Sequence, residues 1–261
     1  MRIALGLEYC GTSFTGWQTQ PDGRGVQDAL EQALAAIAAA DVATIAAGRT
    51  DTGVHATMQV VHFDTGVTRP GTAWVRGVNS HLPATVGVLW ARPVDGHFHA
   101  RYHATRRHYT YLLSSRAVRP ALLAGRVGWY HRTLDAALMS EAAGAFVGTH
   151  DFSAFRAAEC QAKSPIRTLS TVSVTMTGEL IRFDFSANAF LHHMIRNIVG
   201  ALVYVGAGKR PPAWIGELLA GRDRTRAAPT FGPDGLYFTG VEYDAGWELP
   251  STRRPLVVPL A

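Results

Sequence analysis

The stretch that most constrains this chain is Gly48-Arg49-Thr50-Asp51-Thr52-Gly53-Val54-His55-Ala56. Before it, Thr44–Ala47 is a short run of small and apolar residues that can end a strand. After it, Gln59–Asp64 carries Val60, Val61 and Phe63 and reads as another strand. The stretch is therefore a polar loop between two strands, with Gly48 and Gly53 supplying backbone freedom. One carboxylate, Asp51, stands two residues from one guanidinium, Arg49. Polar loops on a strand scaffold are where catalytic groups concentrate. The same residues also fit an Asx-type turn, in which Asp51 bonds nearby backbone N–H groups.

The flanking chain reads as strands with crossover helices. Arg2–Glu8 alternates, with Ile3, Leu5 and Leu7 on one face, as in a half-buried strand. Val26–Ala40 places Val26, Leu30, Leu34 and Ile37 at helical spacing. A short helix is expected over Thr72–His81, a strand over Val86–Val94 and a loop over Asp95–Arg101. Arg106–Leu113 is a strand with Arg107, Tyr109, Tyr111 and Leu113 on one face. Tyrosines on strands usually pack against the sheet, and Tyr111 is expected to do so. A basic connection, Arg116–Pro120 and Gly125–Arg132, leads to a helix over Leu134–Phe146. The boundary between halves is placed there, giving residues 1–133 and 134–261. Gly148–Arg156 reads as a loop, and Thr168–Met176 and Leu180–Ser186 as strands joined at Thr177-Gly178-Glu179.

Leu191–Gly206 is the strongest helix of the second half, an apolar stripe interrupted by Arg196 and Asn197. A charge in such a helix sits at its solvated edge or is paired, and Asp184 is one possible partner for Arg196. His192 and His193, if helical, project about 100° apart, so no metal site is expected. Pro211-Pro212 starts a short helix over Ala213–Ala220, Gly221–Pro229 is a basic loop, and Gly235–Tyr243 is the last strand. The Pro-containing tail, Asp244–Ala261, is expected to wrap the surface. The whole predicts an α+β fold with a mixed, mostly antiparallel sheet.

Composition narrows the partner. The net charge is +5, and only two lysines, Lys163 and Lys209, stand among 25 basic residues. Arginine offers a planar fork that suits phosphate and stacks on bases, which fits a nucleic-acid partner. A genome rich in G and C produces the same bias. Cys10 and Cys160 form no metal or redox spacing. Met1–Tyr9 is too short for a signal peptide and carries Glu8. No apolar run reaches the roughly 18 residues of a membrane span. A soluble cytoplasmic protein without membrane attachment is the expectation.

Gly-Arg-Thr-Asp-x-Gly-Val-His closely resembles the signature of the TruA family of tRNA pseudouridine synthases, with Thr52 where that family usually has Ala. Other stretches carry the resemblance from about Ile3 to Tyr243. They are Tyr9–Gln18, with Cys10 where Asp is common; Phe98-His99-Ala100-Arg101; the strand with Tyr109; Gly148–Arg156; Glu159–Ile166; His192-His193-Met194 with Arg196-Asn197 and Gly200; and Gly235-Leu236-Tyr237. The resemblance implies the pseudouridine synthase fold, two ferredoxin-like halves with a mostly antiparallel sheet around a central basic cleft, usually as a homodimer. It implies an isomerase acting on uridines 38, 39 and 40 of the tRNA anticodon arm, without cofactor or metal. Asp51 would be the nucleophile, Arg49 the base-flipping residue, Tyr109 the residue stacking on the uracil, and Leu236 a further substrate contact. Segments around Phe98, His99, Arg101 and Lys163 are implied to contact tRNA, and Arg69, Arg106, Arg107 and Arg167 lie in or beside such loops.

That chemistry needs a carboxylate that stays ionised where water is excluded. Burial alone would protonate it, so a cation is required, and Arg196 is the candidate. Two alternatives remain open on residue types. One is a catalytically inert RNA-binding protein on the same scaffold, with sheet tyrosines presented to bases. The other is a metal-free glycosidase, which would usually need a second carboxylate that the Asp51 motif lacks.

Overall fold

The computed structural model describes residues 1–256; the end of the tail, 257–261, lies outside the described residues. The elements in chain order are β1 (Arg2–Tyr9), α1 (Val26–Ala38), β2 (Thr44–Ala46), β3 (His55–Asp64), β4 (Val86–Val94), β5 (Arg106–Ser115) and β6 (Gly128–Tyr130). They continue with α2 (Ala136–Ala143), β7 (Gly148–Asp151), β8 (Ile166–Thr177), β9 (Leu180–Ala187), α3 (Met194–Gly206), α4 (Trp214–Gly221) and β10 (Leu236–Glu242). The expected α+β class with mostly antiparallel pairing is borne out.

The chain divides into two compact units, Met1–Arg107 with Tyr237–Ala261, and His108–Leu236. The units do not divide at the expected boundary after residue 133: the second begins within β5, and the chain returns to the first within β10. A strand that comes back from far along the chain leaves no mark on local periodicity.

In the first unit β1 lies between β3 and β4 and is antiparallel to both. The other edge of β3 is shared: β10 runs parallel to it at His55 and Ala56, and β2 antiparallel at Val61–Phe63. Helix α1 buries Val26, Leu30, Ala33, Leu34 and Ala38. Its Asp28 carboxylate accepts from the Gly25 N–H at 2.8 Å, satisfying a donor that a helix start leaves unpaired. The helix stops two residues earlier than expected because Ala39 turns left-handed at φ 52°. Glu31 then accepts both the N–H and the hydroxyl of Thr44, at 2.7 and 2.9 Å, tying α1 to β2. The helix expected over Thr72–His81 forms as a wide π turn, Ala73–Gly77, with Trp74 buried against Phe63.

Strand β1 differs from the half-buried strand of the sequence reading, since Ala4 on its second face is also fully buried. The Trp90 indole crosses Gly6 so closely that a Cβ there would lie 2.2 Å from its nitrogen. That nitrogen donates to the Ser251 carbonyl in the tail at 3.1 Å. The tail, as far as it is described, therefore lies along the first unit, and Arg254 donates from its backbone to the Thr239 carbonyl at 2.9 Å.

In the second unit the strand order is β5-β9-β8-β7, with β6 beside β5. The hairpin of β8 and β9 turns through Gly178 at φ +57°, as its Thr-Gly-Glu sequence predicts. Two expected loops contain short strands, β6 and β7, recruited by pairing with β5 and β8. Helix α2 begins at Ala136 rather than Leu134, because Asp135 caps it, accepting from Ala137 and Leu138 at 2.9 and 3.0 Å.

Helix α3 corrects the sequence reading most. It starts at Met194, not Leu191, because His193 sits left-handed at φ 59° and serves as its N-cap. His192 and His193 are thus outside the helix, and their rings lie 4.0 Å apart instead of diverging by a helical step. Buried nearly all round, α3 carries a fully buried Asn197. That amide donates to the Phe155 carbonyl at 2.8 Å and accepts from Arg224 at 3.1 Å and Thr230 at 2.7 Å. Asn197 is a satisfied core polar group and holds the Arg224–Thr230 loop to the helix. Gly200 admits the same loop, since a Cβ there would come 2.3 Å from the Pro229 carbonyl.

Replacing Asn197 by Leu removes the donor to the buried Phe155 carbonyl and the acceptor shared by Arg224 and Thr230. The expected loss is about 1–3 kcal/mol of unfolding free energy. It should appear as a lower urea midpoint by circular dichroism, while a substitution at exposed Glu159 leaves the midpoint unchanged.

Candidate active site

The Asp51 loop is built from the shared edge of β3. Ala47 extends the β2 ladder, its N–H donating to the Val60 carbonyl at 2.8 Å. The buried Gln59 side chain then donates to the Gly48 carbonyl at 2.7 Å, where the loop leaves the sheet. Thr50 turns inward and is buried. Its carbonyl accepts the Trp17 N–H at 2.9 Å, and its hydroxyl shares a hydrogen bond with the Tyr9 hydroxyl at 2.8 Å. Burial pushes the Tyr9 phenol up to about 12, so it stays protonated. With Thr50 fixed, Arg49 is left exposed and Asp51 half-buried.

Asp51–Val54 is a tight turn closed by the Val54 N–H on the Asp51 carbonyl at 3.1 Å. Gly53 takes its φ +79° position, which a side chain would strain. Thr52, where the resembled family usually has Ala, is exposed on this turn. His55 closes the loop: its Nδ1 accepts the Gly11 N–H at 3.1 Å, and its ring stacks on Tyr237 at 4.6 Å. The motif histidine is therefore structural. Gly11 passes so near Val54 that a Cβ would meet its carbonyl at 2.0 Å.

The segment 98–103 rests on the same unit. Phe98 is fully buried, ringed by His62, His103, Tyr243 and Trp247. It supports the segment from beneath and offers no surface of its own. His99 is half-buried, and its Nδ1 accepts the N–H groups of Arg101 and Tyr102, both at 3.2 Å. Arg101 is exposed, its guanidinium 5.7 Å above the Tyr102 ring. Tyr102 escaped the sequence reading; it is 72% exposed and stacks on His99 at 4.2 Å. Arg2 also escaped it: bidentate on Asp64, it donates to the Gly96 and Phe98 carbonyls at 2.7 and 2.8 Å.

The other basic residues named from sequence are variously engaged. Arg69 is exposed and donates to the Ile37 carbonyl at 3.3 Å, and Arg106 pairs with Glu242 at 3.1 Å. Arg107 directs its fork at the carbonyls of Ala47, Arg101 and Ala104.

In the second unit, Lys163 is exposed, and Arg167 donates to the Ser164 and Ile166 carbonyls. Tyr109 is 9% exposed, edge-on to Phe190 at 5.1 Å. Tyr111 is wholly buried, its hydroxyl donating to Gly232 at 2.8 Å, as expected of a packing residue. Leu236 is buried at the start of β10. Arg196 is half-buried and holds Phe231, donating from Nε to its carbonyl at 2.8 Å while its own carbonyl accepts the Phe231 N–H at 3.2 Å. Asp184, the partner the sequence offered for Arg196, is instead taken by Arg182 at 2.7 and 2.9 Å and by the Thr110 hydroxyl at 2.6 Å.

The fold carries an acidic loop held on a sheet edge, and the sequence that forms it matches a family model. The model described as tRNA pseudouridine synthase matches residues 7–103 and 142–244, and the chain belongs to that family. It is 60% identical over 254 residues to tRNA pseudouridine synthase A of Thiobacillus denitrificans, covering 97% of this chain and 98% of that one. The like-named protein of Methylobacillus flagellatus is 58% identical over 261 residues, with both chains covered in full. That of Chromobacterium violaceum is 60% identical over 252 residues, 96% of each.

His62 beneath the 98–103 segment gives a pH test. Its Nδ1 accepts the Ala100 N–H at 3.1 Å, which requires the neutral ring. Burial first, then the charges of Arg2 and His99, lower its pKa from 6.5 to about 4. The unfolded chain thus binds a proton that the folded chain refuses, and stability falls as pH drops from about 6.5 towards 4. After allowance for screening the loss is on the order of 2 kcal/mol. Urea midpoints measured across this window should fall less steeply for His62→Gln than for the wild type.

Proposed function

We propose that this chain isomerises uridine to pseudouridine in tRNA, at positions 38, 39 and 40 of the anticodon arm, with Asp51 as nucleophile. Family membership along nearly the whole chain supports the reaction class. The observation that carries the assignment of Asp51 is the construction of its loop. Buried bonds at Gly48, Thr50 and His55 fix the backbone while Arg49 and Asp51 remain accessible. An Asx turn of purely structural purpose would not need that scaffold.

The reaction breaks the N-glycosidic bond, turns the uracil, and joins the ribose to ring carbon in place of nitrogen. Atoms and electrons balance within the substrate, so no cofactor is proposed. A positioned carboxylate can hold the nucleotide covalently while the base is free. The target must first leave its stack, at a cost of a few kcal/mol. In this reading Arg49, exposed beside the nucleophile, fills the vacated space, and Tyr109 and Leu236 hold the extruded uracil. Arg196 is assigned to keep Asp51 ionised; its alternative partner Asp184 is already bound by Arg182 and Thr110. Recognition of three neighbouring uridines fits reading of RNA shape, with contacts from Arg69, His99, Arg101, Arg106 and Lys163. A cytoplasmic homodimer remains the expectation from the family; among the described residues no helix is long and apolar enough to cross a membrane.

The test is incubation with unmodified tRNA, followed by carbodiimide adduct formation and primer extension. The wild type should stop the primer at one or more of the three positions. Asp51→Asn should bind tRNA as tightly and lose more than about 10³-fold in rate. Arg196→Ala should lose about 10²-fold or more with its fold intact by circular dichroism. Free uracil would instead indicate a hydrolase, and bound but unaltered tRNA an RNA-binding protein.

A further inference from the structure

We propose that Arg107 is a positioning residue that braces the Asp51 loop against the segment 101–104, rather than a contact to RNA. The inference rests on the reading of Asp51 given above. Arg107 is half-buried at the start of β5, and its fork donates to three main-chain carbonyls. Nε and Nη2 both donate to the Ala47 carbonyl, at 3.3 and 3.1 Å. Nη1 donates to Ala104 at 3.2 Å and Nη2 to Arg101 at 2.7 Å. Ala47 is the residue on which the loop leaves β2, directly before Gly48 and Arg49. Arg101 precedes Tyr102, the exposed ring that stacks on His99.

One planar cation thus ties two segments more than fifty residues apart in sequence. The carbonyls it holds are main-chain atoms, so its contribution is to backbone placement. A lysine would keep the charge and lose the fork, since an ammonium cannot address several fixed carbonyls in one plane. The buried Tyr243 lies within reach of the Arg107 charge, and its hydroxyl donates to Ala100 at 2.7 Å. The brace and the tyrosine therefore hold consecutive carbonyls, Ala100 and Arg101, of the same segment. A small misplacement of a catalytic loop can cost on the order of 10² in rate. A lost phosphate contact instead weakens binding and reduces the salt slope by about one.

The test uses the full chain with Arg107→Lys and Arg107→Gln. Single-turnover pseudouridine formation at saturating tRNA should slow by about 10- to 100-fold in both. The Kd for tRNA and its salt slope should stay within about twofold of wild type. Amide exchange should rise in peptides spanning 48–54 and 101–104 and nowhere else. A rate at the wild-type level with unchanged exchange would overturn the proposal. So would a weakened Kd with a shallower slope and unaltered exchange, or increased exchange throughout the first unit. Exchange confined to the two segments would uphold the brace even if the wild type modified no uridine, an outcome that would remove the proposed activity alone.

Discussion

The hydrogen bond between the Tyr9 and Thr50 hydroxyls, with the Trp17 N–H on the Thr50 carbonyl, decides which way the acidic loop faces. Neighbouring residues of an extended or turning backbone cannot all face the core. Committing Thr50 inward leaves its neighbours Arg49 and Asp51 accessible. The bond forms because Tyr9, at the end of β1, is buried with a hydroxyl that needs a partner. Gln59 also bonds that hydroxyl, so losing the Thr50 bond would cost about 0.5–1.5 kcal/mol, and the fold still has a stability reason to present the two charged residues. The glycines follow from this approach. Gly16 adopts φ +103° and lies where a Cβ would be 2.8 Å from the Thr50 carbonyl. The N-terminal strand and its following loop are thus parts of the site, although neither contributes a charged group.

Much of this is legible in the sequence. The places of β1 and β5, the glycine-flanked loop and the packing role of Tyr111 can be read from the sequence, although both strands are buried on both faces. What escaped were features set by distant neighbours. Short strands β6 and β7 have no periodicity of their own and exist because β5 and β8 offer open edges. The second face of β1 looked solvated, since Trp90 and the tail that cover Gly6 come from elsewhere in the chain. Arg2 and Tyr102 carry no pattern that marks them; one is read only from the carbonyls it reaches, the other only from its exposure.

Helix α3 shows the limit of periodicity from the other side. An apolar stripe predicts a helix, but not the residue at which the chain enters it. Left-handed His193 costs about 1–2 kcal/mol relative to helical backbone. The cost is tolerated because it turns the preceding residues off the helix axis, where the Ala157 N–H meets the His192 carbonyl at 3.0 Å. Asn197 looked like a break in the stripe and instead joins three partners, because a buried amide can both donate and accept.

The arginine bias acquires a second meaning from these contacts. Arg107, Arg167 and Arg196 all direct N–H groups at main-chain carbonyls, which arranges the backbone around them. Arg2, Arg106 and Arg182 are paired with carboxylates and lose most of their field. The net charge of +5 favours a polyanionic partner, and the same guanidiniums brace the loops. Lysine could supply the same charge, but not the planar set of donors that fixes several carbonyls together. Selection for a basic surface and for rigid loops therefore favours one residue type, and composition alone cannot separate the two demands.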